Sequence, residues 1–310
     1  MNTPSNAIHD SGPGPNPVAP AVVSATRPFY WSIRRELWEY RSIYLAPLSI
    51  GGVIVLGFLV VLFRHVRTLG SVMALDPAHQ REAIAQPFDV AVGLVMGAAF
   101  IVSIFYSLDA LYGERRDRSI LFWKSLPVSN LTTVFAKASI TLVVLPVIAF
   151  AITVLTEFLM LLLSSAVFLA SGFSVAELWR ELALSQVMLM LLYHVVTVHI
   201  LWYAPLYAWL LLISAWARRT PFLWATLPPL AIAIFEKIAF HTSHFADFIS
   251  YRFSGSTEAV DTMKGSFPLD PAMHITPGRF LATPGLWLGL VAAVVFLLLA
   301  ARQRRCRGPL

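Results

Sequence analysis

Six stretches of this chain are apolar for long enough to cross a bilayer, and their apolarity is continuous rather than alternating. Residues 45–63 (LAPLSIGGVIVLGFLVVLF) and 90–108 (VAVGLVMGAAFIVSIFYSL) carry no charge. Residues 138–171 carry one, Glu157, and 182–217 carry none, although His194 and His199 lie within. Residues 222–240 hold Glu236 and Lys237 near one end, and 284–301 are again uncharged. About 20 such residues in a helix match the ~30 Å of bilayer hydrocarbon. Strands of a barrel would instead alternate every second residue. The pattern predicts an all-α integral membrane protein with six transmembrane helices. The third and fourth runs exceed the need of one span, so each reads as one tilted or projecting helix, or as two tight spans.

Between the runs the pattern changes. In 26–44, Phe29, Ile33, Leu37, Tyr40 and Tyr44 recur at spacings of three and four, while Arg34, Arg35 and Arg41 fall mostly elsewhere on the wheel. That periodicity predicts an amphipathic helix, and Tyr30, Trp31 and Trp38 suit the headgroup layer. Residues 1–25 are rich in Pro, Gly, Asn and Ser and predict a disordered cytoplasmic tail. Residues 241–283 contain Gly255, Gly265, Pro268, Pro271, Pro277 and Gly278 and predict an irregular outer loop. Residues 302–310 form a basic tail.

Composition agrees with this class. The 310 residues are 57% hydrophobic and only 13% charged, too little polar material to cover a water-facing surface. The net charge of +6 reads as Lys and Arg retained on the cytoplasmic side rather than as a nucleic-acid patch. With six spans and both termini inside, fifteen of the 23 basic residues fall on the cytoplasmic side. Cys306 is the one cysteine, so no internal disulfide forms, and no Cys/His metal spacing surrounds it.

The most charged segment, YGERRDRSILFWKSLPVSN, lies between the second and third runs. Glu114, Arg115, Arg116, Asp117 and Arg118 make a charged turn. Ile120, Leu121, Trp123 and Lys124 follow in an amphipathic stretch, and Pro127 ends it before Ser129 or Asn130 caps the next helix. Such a loop, 113–137, is either a docking surface or a solvated loop anchored by its arginines.

The run ERRDRSILFWKSLPVSNLTTVFAKAS resembles the first cytoplasmic loop of ABC-2 type transporter permeases. Glu114, Arg116, Ile120, Leu121, Ser125, Pro127, Val128, Ser129 and Lys137 are in register with that family's pattern. Departures are Arg118-Ser119, where Gly-Thr is usual, Leu126 before the proline, and Asn130 for an arginine. The resemblance implies the six-helix ABC-2 exporter fold in the cell (inner) membrane and a non-catalytic permease subunit exporting a hydrophobic or amphipathic molecule. It implies two copies of a separate ATPase chain holding ATP and Mg2+, a second permease (the same chain or a sister), and ATPase coupling through the loop. No G-x-x-x-x-G-K-[ST] phosphate loop occurs here.

Other candidates stand apart from the loop. Glu157, a carboxylate inside an apolar run, predicts either a substrate-path or gating role or a structural one near the outer edge. With Glu236 and Lys237 it also supports an alternative, an ion- or proton-coupled secondary transporter. His194 and His199, five residues apart, sit about 140° apart on an α-helix and do not converge on a metal. Gly93 and Gly97 permit close helix approach within one subunit or between two. Pro146, Pro205, Pro228 and Pro229 predict kinks.

Overall fold

The computed structural model describes residues 26–65, 76–126, 128–172, 174–254 and 277–309. The tail 1–25, Pro127 and the part of the outer loop that holds Gly255, Gly265, Pro268 and Pro271 lie outside them. The described residues form an all-α bundle in which six helices are long and apolar enough to cross a membrane.

Helix α1 spans Thr26–Glu39 and α2 spans Ser42–His65. Ile33, Leu37 and Tyr40 pack on the core, while Tyr30, Trp31 and Trp38 are exposed. Helix α3 covers Pro77–Asp109, with Pro at its first turn, where a missing N–H costs nothing. It therefore reaches more than two turns beyond the apolar run 90–108 and absorbs residues expected in the outer loop. Two short helices follow, α4 (Tyr112–Arg116) and α5 (Ile120–Ser125).

The third run is one helix, α6, Asn130–Ala170. The Ser129 hydroxyl caps its start by accepting from Thr132 N at 3.0 Å. A π-turn at Ile140–Val144 widens it just before Pro146, whose ring cannot sit against the carbonyl four residues back. The fourth run is divided. After a short helix α7 (Val175–Leu182), α8 (Leu184–His194) continues as a π-helical segment, Val195–Trp202, and breaks at Tyr203. Helix α9, Ala204–Trp216, carries Pro205 in its first turn and completes the pass. The two wide turns lie against each other.

Helix α10 is Pro221–Phe240, α11 His244–Ser254, α12 Pro277–Ala282 and α13 Pro284–Cys306. The Arg252 guanidinium of α11 donates to Gly285 O of α13 and stacks on Trp202 at 4.7 Å, which pins this helix across two passes.

The main core gathers α2, α3, α6, α9 and α13. Ala204, Ala208, Leu211 and Ala215 of α9 face Ala293, Leu297, Ala300 and Ala301 of α13, two small-residue seams at spacings of three and four that let the helices approach closely. Gly51 of α2 serves α6 in the same way, because a Cβ there would meet Thr156 Oγ1 at 2.7 Å.

Where α3 gives way to α4, the first N–H groups of the new helix have no helical partner. The buried Ser214 hydroxyl of α9 accepts from Leu111 N at 3.1 Å and from Tyr112 N at 2.9 Å. Ser214→Ala is expected to cost about 1–3 kcal/mol by stranding both donors. A thermal melt of the purified protein that matches wild type would remove this role.

Candidate functional site: a buried charge network and a buried acid

At the end of the bundle where α13 finishes, five charges are almost fully withdrawn from solvent, Glu36, Glu114, Arg115, Lys137 and Arg304, and all but Arg115 form one ion-pair cluster. Four different elements supply them. Lys137 Nζ of α6 lies 2.8 Å from Glu36 Oε1 of α1 and 3.3 Å from Glu114 Oε1 of α4. Arg304 Nη2 of α13 lies 3.0 Å from Glu114 Oε2, and its Nη1 donates to Asn130 Oδ1 at 2.6 Å. Tyr106 OH of α3 donates to Glu36 Oε2 at 2.8 Å. The partly exposed Arg35 closes the cluster, 3.1 Å from Glu114 Oε1, with its guanidinium 3.5 Å from the Trp123 ring centroid. Burial works against the charge of Arg35, but Glu36, Glu114 and Glu39 outweigh it and hold its pKa above the ordinary guanidinium value.

The central charges balance, two acids against Lys137 and Arg304. Buried ion pairs of this kind add little net stability, yet losing one member leaves an uncompensated charge. The network is therefore best understood as a lock holding α1, α4, α6 and α13 in one arrangement.

The structure sorts the loop candidates into two groups. Glu114, Arg115 and Ile120 face inward. Arg115 Nη1 donates to Ala215 O at 2.8 Å and Ala217 O at 2.9 Å, satisfying carbonyls at the end of α9, so neither it nor Ile120 is available to a docking partner. Arg116, Asp117 and Arg118 are exposed, and Arg116 pairs with Asp117 at 3.0 Å and Asp109 at 3.6 Å. Arg118 takes a left-handed backbone, φ 59°. Leu121 is 58% exposed and Phe122, which sequence reasoning passed over, 60%. Lys124 Nζ donates to Arg307 O at 2.9 Å, tying α5 to the C-terminal tail.

The second feature lies about 30 Å further along α6 from Lys137, at 1.5 Å per residue. Glu157 is 1% exposed, and neither of its carboxylate oxygens has a hydrogen-bond partner among the described residues. Thr153, one turn away, donates to Ala149 O instead. Asp89, in the polar extension of α3, is close enough to act on Glu157 as a like charge. Burial is the larger influence on Glu157, and the apolar cluster containing Phe88, Ala91, Met160 and Leu161 takes in near neighbours of both acids along the chain.

Glu236 and Lys237 do not join them. The Glu236 carboxylate accepts from Thr242 Oγ1 at 2.8 Å, His244 N at 2.9 Å and Phe245 N at 2.8 Å, capping α11, while Lys237 is exposed. The rings of His194 and His199 pack edge to face at 5.7 Å, closer than α-helical phase places them. The reason is the π segment, whose wider turn brings residues five apart onto one side. No group of three or more metal-ligating side chains occurs among the described residues. Gly93 and Gly97 lie on the exposed side of α3.

The fold and these two buried sites define a multi-pass membrane protein of transport character. The chain matches no protein-family model, no curated protein and no solved structure.

Proposed function

We propose that this chain is a non-catalytic transporter whose transport is coupled to protons or a small cation through Glu157, with Asp89 as its neighbour. The observation that carries this reading is the fully buried Glu157 carboxylate, neither of whose oxygens has a hydrogen-bond partner among the described residues. Holding Glu157 ionised there costs several kcal/mol, so a bound proton or cation is the favourable state, and the like charge of Asp89 adds to that preference. Binding and release of that ion at one end of α3 and α6 would work against the lock at the other end. An ion shifts such an equilibrium only by binding the two arrangements differently, and a buried acid that gains or loses water has that property.

The excess of basic residues at the end carrying both termini supports placing them in the cytoplasm. The multi-pass body would then lie in the cell (inner) membrane, with α1 and its exposed tryptophans along the interface. The test is flux in proteoliposomes: a substrate flux driven by an imposed proton or sodium gradient supports the reading, and indifference to both gradients overturns it.

A second reading has its own observations. In an ABC-2 type permease, coupling to two copies of an ATPase that hold ATP and Mg2+, with a second permease alongside, would run through α4 and α5. Leu121 and Phe122 are exposed there, directly behind side chains wired into the lock. The left-handed Arg118 occupies the position where that family's pattern carries glycine, the residue this conformation favours. Leu121→Asp/Phe122→Asp is expected to release a stoichiometric ATPase and abolish its stimulation, with the permease still folded. Purification of the chain with no ATPase attached, together with gradient-driven flux, decides for ion coupling.

A further inference from the structure

At the end of the bundle where α13 finishes, on the side of the charge network that faces α10, a cavity of about 340 Å³ opens between α9, α10 and α13. Its lining includes Trp209, Trp216, Trp224, Pro228 and Leu299, with Gln303 supplying a polar end. Trp216 and Gln303 lie near helix ends, while Trp209 and Pro228 sit about 10 Å deeper at 1.5 Å per residue. That is the depth of the first acyl carbons of one leaflet, with tryptophans placed as they are at membrane interfaces. On the α10 side, Trp224 and Leu227 are each about half exposed, so the wall facing the lipid is incomplete.

The mouth of the cavity is cationic. Arg307 Nε donates to Gln303 Oε1 at 3.1 Å, and its guanidinium lies 5.9 Å from the Trp216 ring centroid. Arg218, just past Trp216, and Arg307 both act on Arg115 as like charges. Arg218, Arg219, Arg302 and Arg305 are exposed, and no carboxylate pairs with them among the described residues, whereas Arg304 is held by Glu114. An apolar slot at acyl depth beneath an uncompensated cluster of guanidiniums is complementary to one kind of molecule, an amphiphile with an anionic head.

We propose that this cavity binds an anionic phospholipid of the adjoining leaflet, its acyl chain among the tryptophans and its phosphate on Arg218 and Arg307. The inference is independent of the transport reading and of which side of the membrane the termini occupy. It uses only the side chains that line the cavity and those at its mouth.

The test uses the full chain, stripped of lipid in detergent and titrated with phosphatidylglycerol, phosphatidylcholine or inorganic phosphate, with native mass spectrometry and thermal shift as readouts. Two guanidiniums at about 1 kcal/mol each predict roughly thirtyfold tighter binding of phosphatidylglycerol than of phosphatidylcholine. Arg218→Gln/Arg307→Gln brings the two lipids level, and Leu299→Trp, which narrows the cavity, weakens both. Arg218 is exposed, so its single variant keeps the fold and carries the headgroup arm alone. Inorganic phosphate leaves the melting temperature unchanged. Equal binding of the two lipids by wild type overturns the proposal, as does a stabilising effect of phosphate alone. Retention of phosphatidylglycerol preference by Leu299→Trp at full affinity overturns it too, reducing the site to surface attraction.

Discussion

Lys137→Met is expected to unfold the terminal end of the bundle, at a cost of roughly 3–5 kcal/mol, the range for breaking a buried ion pair by removing one partner. Lys137 is 1% exposed and contacts both Glu36 and Glu114. Without it, the two carboxylates face Arg304 as the one buried cation left in the cluster, one positive charge short, while the partly exposed Arg35 is shared with Glu39. The penalty comes from the stranded charge rather than from a lost attraction, and that distinction can be measured. Lys137→Met/Glu36→Gln removes one charge of each sign and should recover much of the loss, leaving the double variant more stable than the single. Thermal unfolding in detergent, read by size-exclusion monodispersity, gives both numbers. A single variant within about 0.5 kcal/mol of wild type, the range of an ordinary surface change, would show that the network is not closed as described.

Glu157→Gln has the opposite signature. Glutamine keeps the shape but cannot ionise, so the buried site no longer has a charge to neutralise. The chain should fold at least as well as wild type, with an equal or higher melting temperature, while gradient-driven flux falls to that of empty liposomes. Asp89→Asn should shift the ion dependence less severely, since Asp89 is partly exposed. Loss of stability together with activity in Glu157→Gln would mark the residue as structural instead. Full flux with normal stability would remove it from the mechanism altogether.

The apolar spans were legible because hydrocarbon thickness sets a length that sequence displays directly. Helix ends were less so. Residues 77–89 mix Gln, Glu, Asp and Pro with Ile84, Ala85 and Phe88, so the helix continues without extending the uncharged apolar run. Asp89 falls between the outer loop 64–87 and the apolar run that begins at 90, and nothing in the sequence links it to Glu157. The lock was legible in half. Glu114 and Lys137 stood out within a charged loop and its register, whereas Glu36 was one charge in a heavily charged helix and Arg304 one arginine in a basic tail. A signal for Glu36 did exist, since it falls on the Ile33–Leu37–Tyr40 side of α1, where a carboxylate has no reason to be unless something answers it. The contact between His194 and His199 is hidden for another reason: residues five apart are about 140° apart in an α-helix, but the chain here is π-helical.

That same departure from regular winding has a consequence for α6. In an unbroken α-helix, at about 100° per residue, the twenty steps from Lys137 to Glu157 would leave the two side chains on nearly opposite sides. The π-turn at Ile140–Val144 takes up one extra residue and cuts the angular offset to about 100°. Both residues can then be buried in one pass. The wide turn acts as a phase adjustment: a single spare residue lets one helix present a cation to the lock at one end and an acid to the interior at the other.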